Sequence, residues 1–317
     1  MTADMLLPSQ RSGEAASTWA RRIYVANLVA QMAIIVTGAA VRLTGSGLGC
    51  PTWPECVEGS YIPTSRQEES WHKYVEFGNR LLTFVLVLLA IAAIFAALVD
   101  MRRRLKSGGN RRLPLLGLAS IPIIGTVAQA VLGGITVLTG LHPTTVAAHF
   151  LVSMAIVAGC VELVVRSGDG GDHPVTLLVR REIRLLTWLL VVVVAVVVVL
   201  GVITTGSGPH SGDADAEHRF SFDPRTIAWL HADSVLFFLG LLVALLLAFH
   251  LTDVPQRVRR AGWILLVVAL MQGAIGYLQY FTGLPILLVG MHVLGATCLW
   301  VAMLWVVGAE RVRGPMP

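Results

Sequence analysis

Four polar side chains occur at matched depths inside long apolar segments of the chain. They lie on the second, fourth, sixth and eighth segments, each about 9 to 12 Å from the outer end of a helix: Asn79, His149, His231 and His292. A lone histidine on an apolar face is more often a hydrogen-bonded core residue than a ligand. Histidines matched in depth on alternate helices favour a ligand role, because facing imidazoles in a four-helix bundle can bind haem iron from both sides.

The two halves of the chain differ at these positions. The C-terminal half has both histidines, His231 and His292, which predicts a six-coordinate, low-spin haem suited to electron transfer. In the N-terminal half, Asn79 takes the place of one histidine and only His149 remains. A haem in that half would keep an open iron face, where a reaction can occur. Zinc is the weaker alternative, since the matched positions lack a cysteine, an aspartate or a third histidine within one half.

Charged side chains inside apolar segments are further site candidates. Arg42 and Arg80 lie near the outer ends of their segments, where a charge is costly without a partner. Glu76 precedes Arg80 by four residues, so the two can pair on one helix face. That pair can be purely structural. An intramembrane carboxylate beside a cofactor site is more often functional, and we therefore expect Glu76, Asn79 and Arg80 to form the reactive group.

Long helices are needed to position these residues, and the composition predicts such helices in a membrane. The 317 residues are 55% hydrophobic and 14% charged, with a mean hydropathy of +0.73, whereas soluble domains carry about 25% charged residues. Apolar segments of the length that crosses a bilayer occur at 23–44, 74–99, 113–138, 143–165, 184–204, 226–250, 261–282 and 285–308. The predicted fold class is an all-α integral membrane protein with eight transmembrane helices.

The second half of the sequence repeats the first. A displacement of 143 positions superimposes Gln129 on Gln272, His149 on His292, and the run Thr-Gly-Leu at 139–141 on the same run at 282–284. Each unit has four spans, which predicts two pseudo-symmetric four-helix bundles. The expected divisions are an N-terminal tail (1–22), a substrate-binding half (23–166) with an outer loop (45–73), a linker (167–183), a cofactor-binding half (184–308) and a C-terminal tail (309–317).

The distribution of charge predicts the orientation in the membrane. Most of the 24 Lys and Arg residues lie in the tails and in alternate loops, which places both termini, and the linker, in the cytoplasm by the positive-inside rule. The net charge of +5 is thus assigned to membrane topology rather than to nucleic-acid binding. The polar N-terminus and the full-length first apolar segment predict no cleavable signal peptide.

The four cysteines divide into two pairs by location. Cys50 and Cys56 lie in the first outer loop, on the oxidising side, where their spacing across two prolines can close a small disulfide of structural or redox-active type. Cys160 and Cys298 lie within spans and are expected to be packing residues. The sequence contains no C-x-x-C-H motif, which excludes covalent c-type haem. The histidines at loops and span edges are expected to be solvated, with His72 as a candidate exception.

The residues described so far carry a family resemblance. The segment VTGAAVRLTGSGLGCP at 36–51, the Glu76-x-x-Asn79-Arg80 motif and the histidines on alternate helices resemble haem A synthase, the membrane enzyme that converts haem O to haem A. The resemblance covers nearly the whole chain. The more familiar pattern has histidine at the position of Asn79, and the form EFGNR looks like the actinobacterial branch of the family.

The resemblance implies a reaction and a set of ligands. It implies oxidation of one porphyrin methyl group of haem O to a formyl group, with haem b as the cofactor in the C-terminal half. His231 and His292 match the axial ligands of haem b, and His149 matches a ligand of the substrate haem. Glu76 matches the essential acidic residue, and Cys50 and Cys56 match a cysteine pair found in many members. Expected partners are haem O, the bilayer of the plasma membrane, haem O synthase and oxidase assembly factors, but not nucleic acid.

Two other function classes fit the sequence less well. A di-haem electron-transfer cytochrome would have a histidine pair in both halves, which Asn79 contradicts. A transporter would have broken helices and polar residues at the midplane, whereas the polar residues here cluster near the outer face. The sequence does not predict the oligomeric state.

Overall fold

The described part of the chain forms eight long helices and two short strands. The computed structural model describes residues 16–65, 67, 70–106, 108, 111–210, 212 and 218–313. In these ranges the elements are α1 (Thr18–Leu43), α2 (His72–Lys106), α3 (Leu113–Leu138), α4 (Pro143–Ser167), β1 (Val175–Leu177), α5 (Arg181–Ser207), α6 (Pro224–Leu251), α7 (Gln256–Phe281), α8 (Ile286–Ala309) and β2 (Arg311–Arg313). All eight helices are long and apolar enough to cross a membrane. The predicted all-α membrane fold is confirmed.

The helix boundaries follow local sequence signals. Proline occupies the first turn of α3, α4 and α6, where its missing N–H costs no hydrogen bond. At the ends of α3 and α7, the repeated Thr-Gly-Leu runs adopt the same turn, with positive φ at Gly140 and Leu141 and at Gly283 and Leu284. The amide of each leucine then donates to a carbonyl five residues earlier. The repeat seen in the sequence is thus also present in the backbone conformation.

The helices pack as two groups of four. Helices α1 to α4 contact one another in a closed ring, and α5 to α8 do the same. The two groups meet through contacts of α8 with α1 and α4, and of α4 with α5. One such contact is the hydrogen bond from Trp300 Nε1 on α8 to the Met154 carbonyl on α4, at 3.0 Å. The connections that follow α1, α3, α5 and α7 lie together, and we call this the loop end; the opposite end, where α1 begins and α8 ends, is the terminal end.

At the terminal end, the linker is joined to the residues that follow α8. Strands β1 and β2 pair antiparallel, with Val175 opposite Arg313 and Leu177 opposite Arg311. The predicted linker and C-terminal tail are therefore hydrogen-bonded to each other. The parts of the predicted tails at 1–15 and 314–317 lie outside the described residues, and α1 already begins at Thr18.

Buried ion pairs accompany this strand pairing. Glu310 is fully buried and accepts hydrogen bonds from Arg184 Nη1, at 2.8 Å, and from Thr187. Burial raises the pKa of the Glu310 carboxyl, and these two hydrogen bonds act in the opposite direction. Arg166 on α4 pairs with Asp172 of the linker at 2.5 Å. Together these contacts hold α4, the linker and the end of α8 in one arrangement.

Candidate functional site

One cavity at the loop end extends across both groups of helices. Its volume is about 1040 Å³, and its lining is mostly apolar. The four polar side chains matched in the sequence all line it: Asn79, His149, His231 and His292. The three charged candidates, Arg42, Glu76 and Arg80, line it as well.

In the C-terminal half, two histidines face each other across the cavity. The ring centroids of His231 on α6 and His292 on α8 are 6.4 Å apart, with 79° between the ring planes. Two metal–imidazole bonds of about 2 Å each, together with the two half-rings, span about 6 Å. The spacing therefore fits one metal ion bound between the two imidazoles.

Each of the three histidines lies against a glycine of a neighbouring helix. A Cβ atom at Gly201 would lie 3.1 Å from His231 Cε1, and one at Gly276 would lie 3.0 Å from His292 Cε1. At His149 the corresponding glycine is Gly133, at 3.3 Å. Any side chain at these glycines would crowd the imidazole. The glycines therefore allow each ring to lie close to the neighbouring backbone, with its edge toward the cavity.

Two glutamines fix the backbone of the histidine helices. Gln129 Nε2 on α3 donates to the His149 carbonyl at 2.7 Å, and Gln272 Nε2 on α7 donates to the His292 carbonyl at 2.8 Å. The two glutamines are separated by 143 positions, like the two histidines. The same glycine–glutamine–histidine arrangement therefore occurs in both halves.

The N-terminal half pairs one histidine with an asparagine and a carboxylate. The Nδ1 atom of His149 and the Oδ1 atom of Asn79 are buried without a hydrogen-bond partner in the part of the chain that the structure describes. One turn before Asn79, Glu76 is only 5% exposed. Its Oε1 accepts from Arg80 Nη2 at 2.6 Å and from Arg80 Nε at 3.1 Å. The ion pair expected from the i, i+4 spacing is present.

The Glu76–Arg80 pair also holds the loop that follows α1. Cys50 and Cys56 form a disulfide, as predicted. The Cys50 amide donates to Glu76 Oε2 at 2.7 Å. Arg80 donates to the carbonyls of Cys50, Thr52 and Glu55 at 2.8 to 3.2 Å. We call residues 50–56 the disulfide loop; it is fixed to α2 by one carboxylate and one guanidinium.

Arg42 links the two halves at the loop end. Its Nη2 donates to the Thr205 carbonyl of α5 at 2.9 Å. Its Nε is buried without a hydrogen-bond partner among the described residues. Nearby, the Gly47 amide donates to the Gly212 carbonyl at 2.8 Å. A guanidinium of α1 therefore reaches the wall of the cavity that α5 forms.

Among the histidines at loops and span edges, the candidate exception and two of those expected to be solvated have protein partners. His72 is half-buried, stacks on Trp71 and lies 2.9 Å from Ser46 Oγ through its Nδ1. His210 Nε2 is 3.0 Å from the Leu284 carbonyl, and His142 caps α4. His218 is exposed, as expected. The expectation failed because the loops at this end fold back onto the helices, so that their histidines have protein partners.

Some residues of the site were not anticipated from the sequence. They are the three glycines beside the histidines, the two glutamines as donors, and Trp53 of the disulfide loop, which lines the cavity. The glycines and glutamines carried a signal, because Gly133 and Gln129 recur at the repeat spacing in Gly276 and Gln272. Trp53 carried none, since it occurs in an irregular loop without a repeat partner.

Zinc coordination was the weaker alternative for these histidines. Within the described ranges, no group of three or more histidine, cysteine, aspartate or glutamate side chains is placed to hold a metal ion. Cys160 and Cys298 are free thiols, buried and half-buried respectively, within α4 and α8. The facing pair of imidazoles, His231 and His292, fits haem iron better than a zinc site with four protein ligands.

Removal of the disulfide is expected to weaken the disulfide loop. Replacing Cys50 and Cys56 by serine should lower the stability of the folded loop by about 2 to 3 kcal/mol, because the cross-link restricts the unfolded chain. Limited proteolysis should then cut within 50–56 faster than in the wild type, whereas Cys298→Ser should leave the cutting rate unchanged. Two alkylated thiols at Cys50 and Cys56 in wild-type protein purified without reductant would contradict the premise.

Comparison with known proteins shows the family to which the chain is similar. The family model COX15-CtaA, described as cytochrome oxidase assembly protein, matches residues 21–304. The haem A synthase of Bacillus mycoides (strain KBAB4) is 24% identical over 287 residues, which cover 87% of this chain and 88% of that protein.

Other relatives match over shorter segments. The haem A synthase of Lysinibacillus sphaericus (strain C3-41) is 35% identical over 131 residues, or 41% of this chain and 39% of the relative. That of Alkalihalophilus pseudofirmus is 30% identical over 167 residues, or 51% of this chain and 52% of the relative. These two alignments thus span about half of each protein or less. The family match, in contrast, extends over all eight helices of the fold, and the chain belongs to the COX15-CtaA family of cytochrome oxidase assembly proteins.

Proposed function

We propose that this protein is a haem A synthase, which oxidises one methyl group of haem O to a formyl group and so provides haem A for terminal oxidases. The observation that carries the proposal is the unequal pair of sites in one cavity. A bis-histidine site in the C-terminal half lies beside a site with one histidine, Asn79 and the Glu76–Arg80 pair. The family membership and the names of the relatives support the same function.

In this proposal, the C-terminal half binds haem b through His231 and His292. The 6.4 Å spacing of the rings fits one metal ion held between them. Haem b supplies one-electron transfer when bound. The chain's own contribution is to orient the imidazoles: Gly201 and Gly276 leave room for them, and Gln272 fixes the His292 backbone.

The N-terminal half is proposed to bind haem O as substrate. His149 is the protein ligand of its iron, and Asn79 lies on the side left without a second histidine. The Asn79 amide can both donate and accept a hydrogen bond there. Because its Oδ1 has no partner among the described residues, the side chain is available for a bound group. The substrate haem is thus proposed to be ligated by protein on one face only.

Glu76 is proposed to act on the methyl group of the substrate. A carboxylate in an apolar cavity can stabilise positive charge that develops at the methyl carbon, or accept a proton from it. Arg80 orients the carboxylate through two hydrogen bonds to Oε1, and the Cys50 amide orients Oε2. The three contacts leave the side chain one orientation relative to the cavity.

Arg42 is proposed as a cofactor-binding residue. It is a cation in an apolar surrounding, and its Nε has no hydrogen-bond partner among the described residues. The carboxylates of a haem are anions that a guanidinium binds well. Since Arg42 belongs to α1 and reaches α5, it would contact a ligand at the boundary of the two halves.

The test of the function is the conversion of haem O. The protein is expressed in a host that makes haem O but no haem A, and haems are extracted and separated by chromatography. Haem A should appear with the wild type and be absent with the empty vector. Binding of haem without any haem A would instead support the alternative, a di-haem electron-transfer cytochrome.

Substitutions of Asn79 should separate binding from turnover. Asn79→Leu removes the polar group without adding a ligand, and we expect the rate of haem A formation to fall about tenfold while haem O affinity changes less than about threefold. Asn79→His should add a second axial ligand and a second low-spin signal in electron paramagnetic resonance, with a lower rate. Two bis-histidine signals in the haem O-loaded wild type, one of them lost in His72→Ala, would contradict the open face.

The proposed location is the plasma membrane with both termini in the cytoplasm. The loop end would then face outward, in agreement with a disulfide there, and the arginine-rich terminal end inward. Haem O reaches the protein within the bilayer. Haem O synthase and oxidase assembly factors are proposed as the proteins that deliver the substrate and receive the product.

A further inference from the structure

Trp53, in the disulfide loop, lies directly on the backbone of α3. A Cβ atom at Gly134 would come within 2.4 Å of Trp53 Cδ2, 2.7 Å of Cε2 and 2.8 Å of Cγ. No side chain could occupy that space while the indole stays in place. Gly134 is therefore the position on α3 that allows the indole to reach the cavity, which both residues line.

The indole and the imidazole of His149 meet α3 at consecutive residues. Gly133 lies beside His149 Cε1, and Gly134 lies beside the indole of Trp53. The two rings are thus placed at the same level of α3, within about 1.5 Å along its axis. A flat ligand bound through His149 would therefore lie near the level of α3 at which the indole lies.

The disulfide loop holds Trp53 from both sides. Arg80 donates to the carbonyls of Thr52 and Glu55, which flank the Trp53-Pro54 pair. The disulfide between Cys50 and Cys56 closes the loop around them. The backbone of Trp53 is thus fixed, but 38% of the residue's surface remains exposed. A large indole surface is therefore available for contact within a mostly apolar cavity.

We propose that Trp53 is a positioning residue for the porphyrin substrate, whose macrocycle lies against the indole, and that Gly134 is required to seat the indole there. The proposal rests on the proposed function, since it takes haem O as the ligand of the N-terminal half. A porphyrin is a large aromatic plane, and an indole offers it an apolar surface at low entropic cost. The contact, together with ligation by His149, sets the orientation of the macrocycle relative to Glu76.

The experiment measures haem O binding rather than its oxidation. Haem O is titrated into purified protein that already contains haem b, and the Soret band of the added haem is followed. We expect Trp53→Ala and Gly134→Ala each to raise the Kd for haem O about tenfold, and Trp53→Phe to raise it about threefold. Gly117→Ala is the matched control on α3, because a Cβ atom there has no neighbour within 4 Å among the described residues, and it should bind as the wild type does.

A double variant distinguishes the contact from a general defect of folding. Gly134→Ala acts by displacing the indole, so Gly134→Ala combined with Trp53→Ala should bind haem O no more weakly than Trp53→Ala alone. The haem b spectrum and the Cys50–Cys56 disulfide should persist in every variant. If Trp53→Ala and Gly134→Ala both bound haem O with the wild-type Kd, the positioning role of Trp53 would be wrong, whereas the proposed function would stand. Failure of the wild-type protein to bind haem O would overturn the proposed function and this role together.

Discussion

Replacing His231 or His292 by alanine is expected to remove the stably bound low-spin haem b. Either change leaves one imidazole where two face each other across 6.4 Å, and only one of the two protein ligands then remains for the haem. Reduced-minus-oxidised spectra of the purified variants should show loss of most of the low-spin signal. The rate of haem A formation should also fall, because without haem b no electron acceptor remains beside the substrate.

A histidine on the same helix provides the control. His250 lies on α6 like His231, but it is exposed and close to the terminal end. His250→Ala should keep the full haem b spectrum. If both His231→Ala and His292→Ala also retained it, the axial ligands would have to be sought elsewhere, and the bis-histidine assignment would be wrong.

Glu76→Gln is expected to lower haem A formation by about a hundredfold or more, the range for loss of an acid–base group. Glutamine keeps the size of the side chain but removes its charge. The two Oε atoms of Glu76 accept hydrogen bonds from Arg80 and from the Cys50 amide. The side-chain amide of glutamine has only one oxygen, so it can replace only one of these two acceptors. Haem b should be retained, since Glu76 belongs to the N-terminal group of helices. Chromatography of extracted haems measures the first effect, and optical spectra measure the second.

The control for Glu76→Gln is a carboxylate near the same loop. Glu58 is exposed, and Glu58→Gln should form haem A at the wild-type rate. Alkylation of the native variants would show whether the Cys50–Cys56 bond still forms. Wild-type amounts of haem A in Glu76→Gln would leave Glu76 with the structural role of holding the disulfide loop and no role in the reaction.

The parts of the site that follow from local sequence could be predicted. Helical geometry sets the depth of a residue within its span, and the apolar segments alone therefore place His149, His231 and His292 at one level. The spacing of Glu76 and Arg80 by one helical turn likewise predicts their ion pair. Each of these inferences needs only the geometry of one helix, or the repeat that relates two of them.

Contacts between distant segments could not be predicted in the same way. Trp53 reaches Gly134, and Arg42 reaches the Thr205 carbonyl. Both depend on how an irregular loop or a long side chain crosses from one helix to another. His72 was the candidate exception among the histidines expected to be solvated, but its partner, Ser46 of the preceding loop, was not predicted. Such contacts are set by tertiary packing, for which a single sequence has no periodic signal.

The pairing of β1 with β2 has a consequence for the order of assembly during synthesis. Residues 311–313 follow α8 in the chain, yet they bind the linker made well before them, and Arg311 pairs with Glu162 of α4. The first four helices can therefore enter the membrane and pack early, while the linker reaches its final conformation only after α8 is complete. A deletion of residues 311–313 thus acts on the junction between the two halves, about 140 residues earlier in the chain.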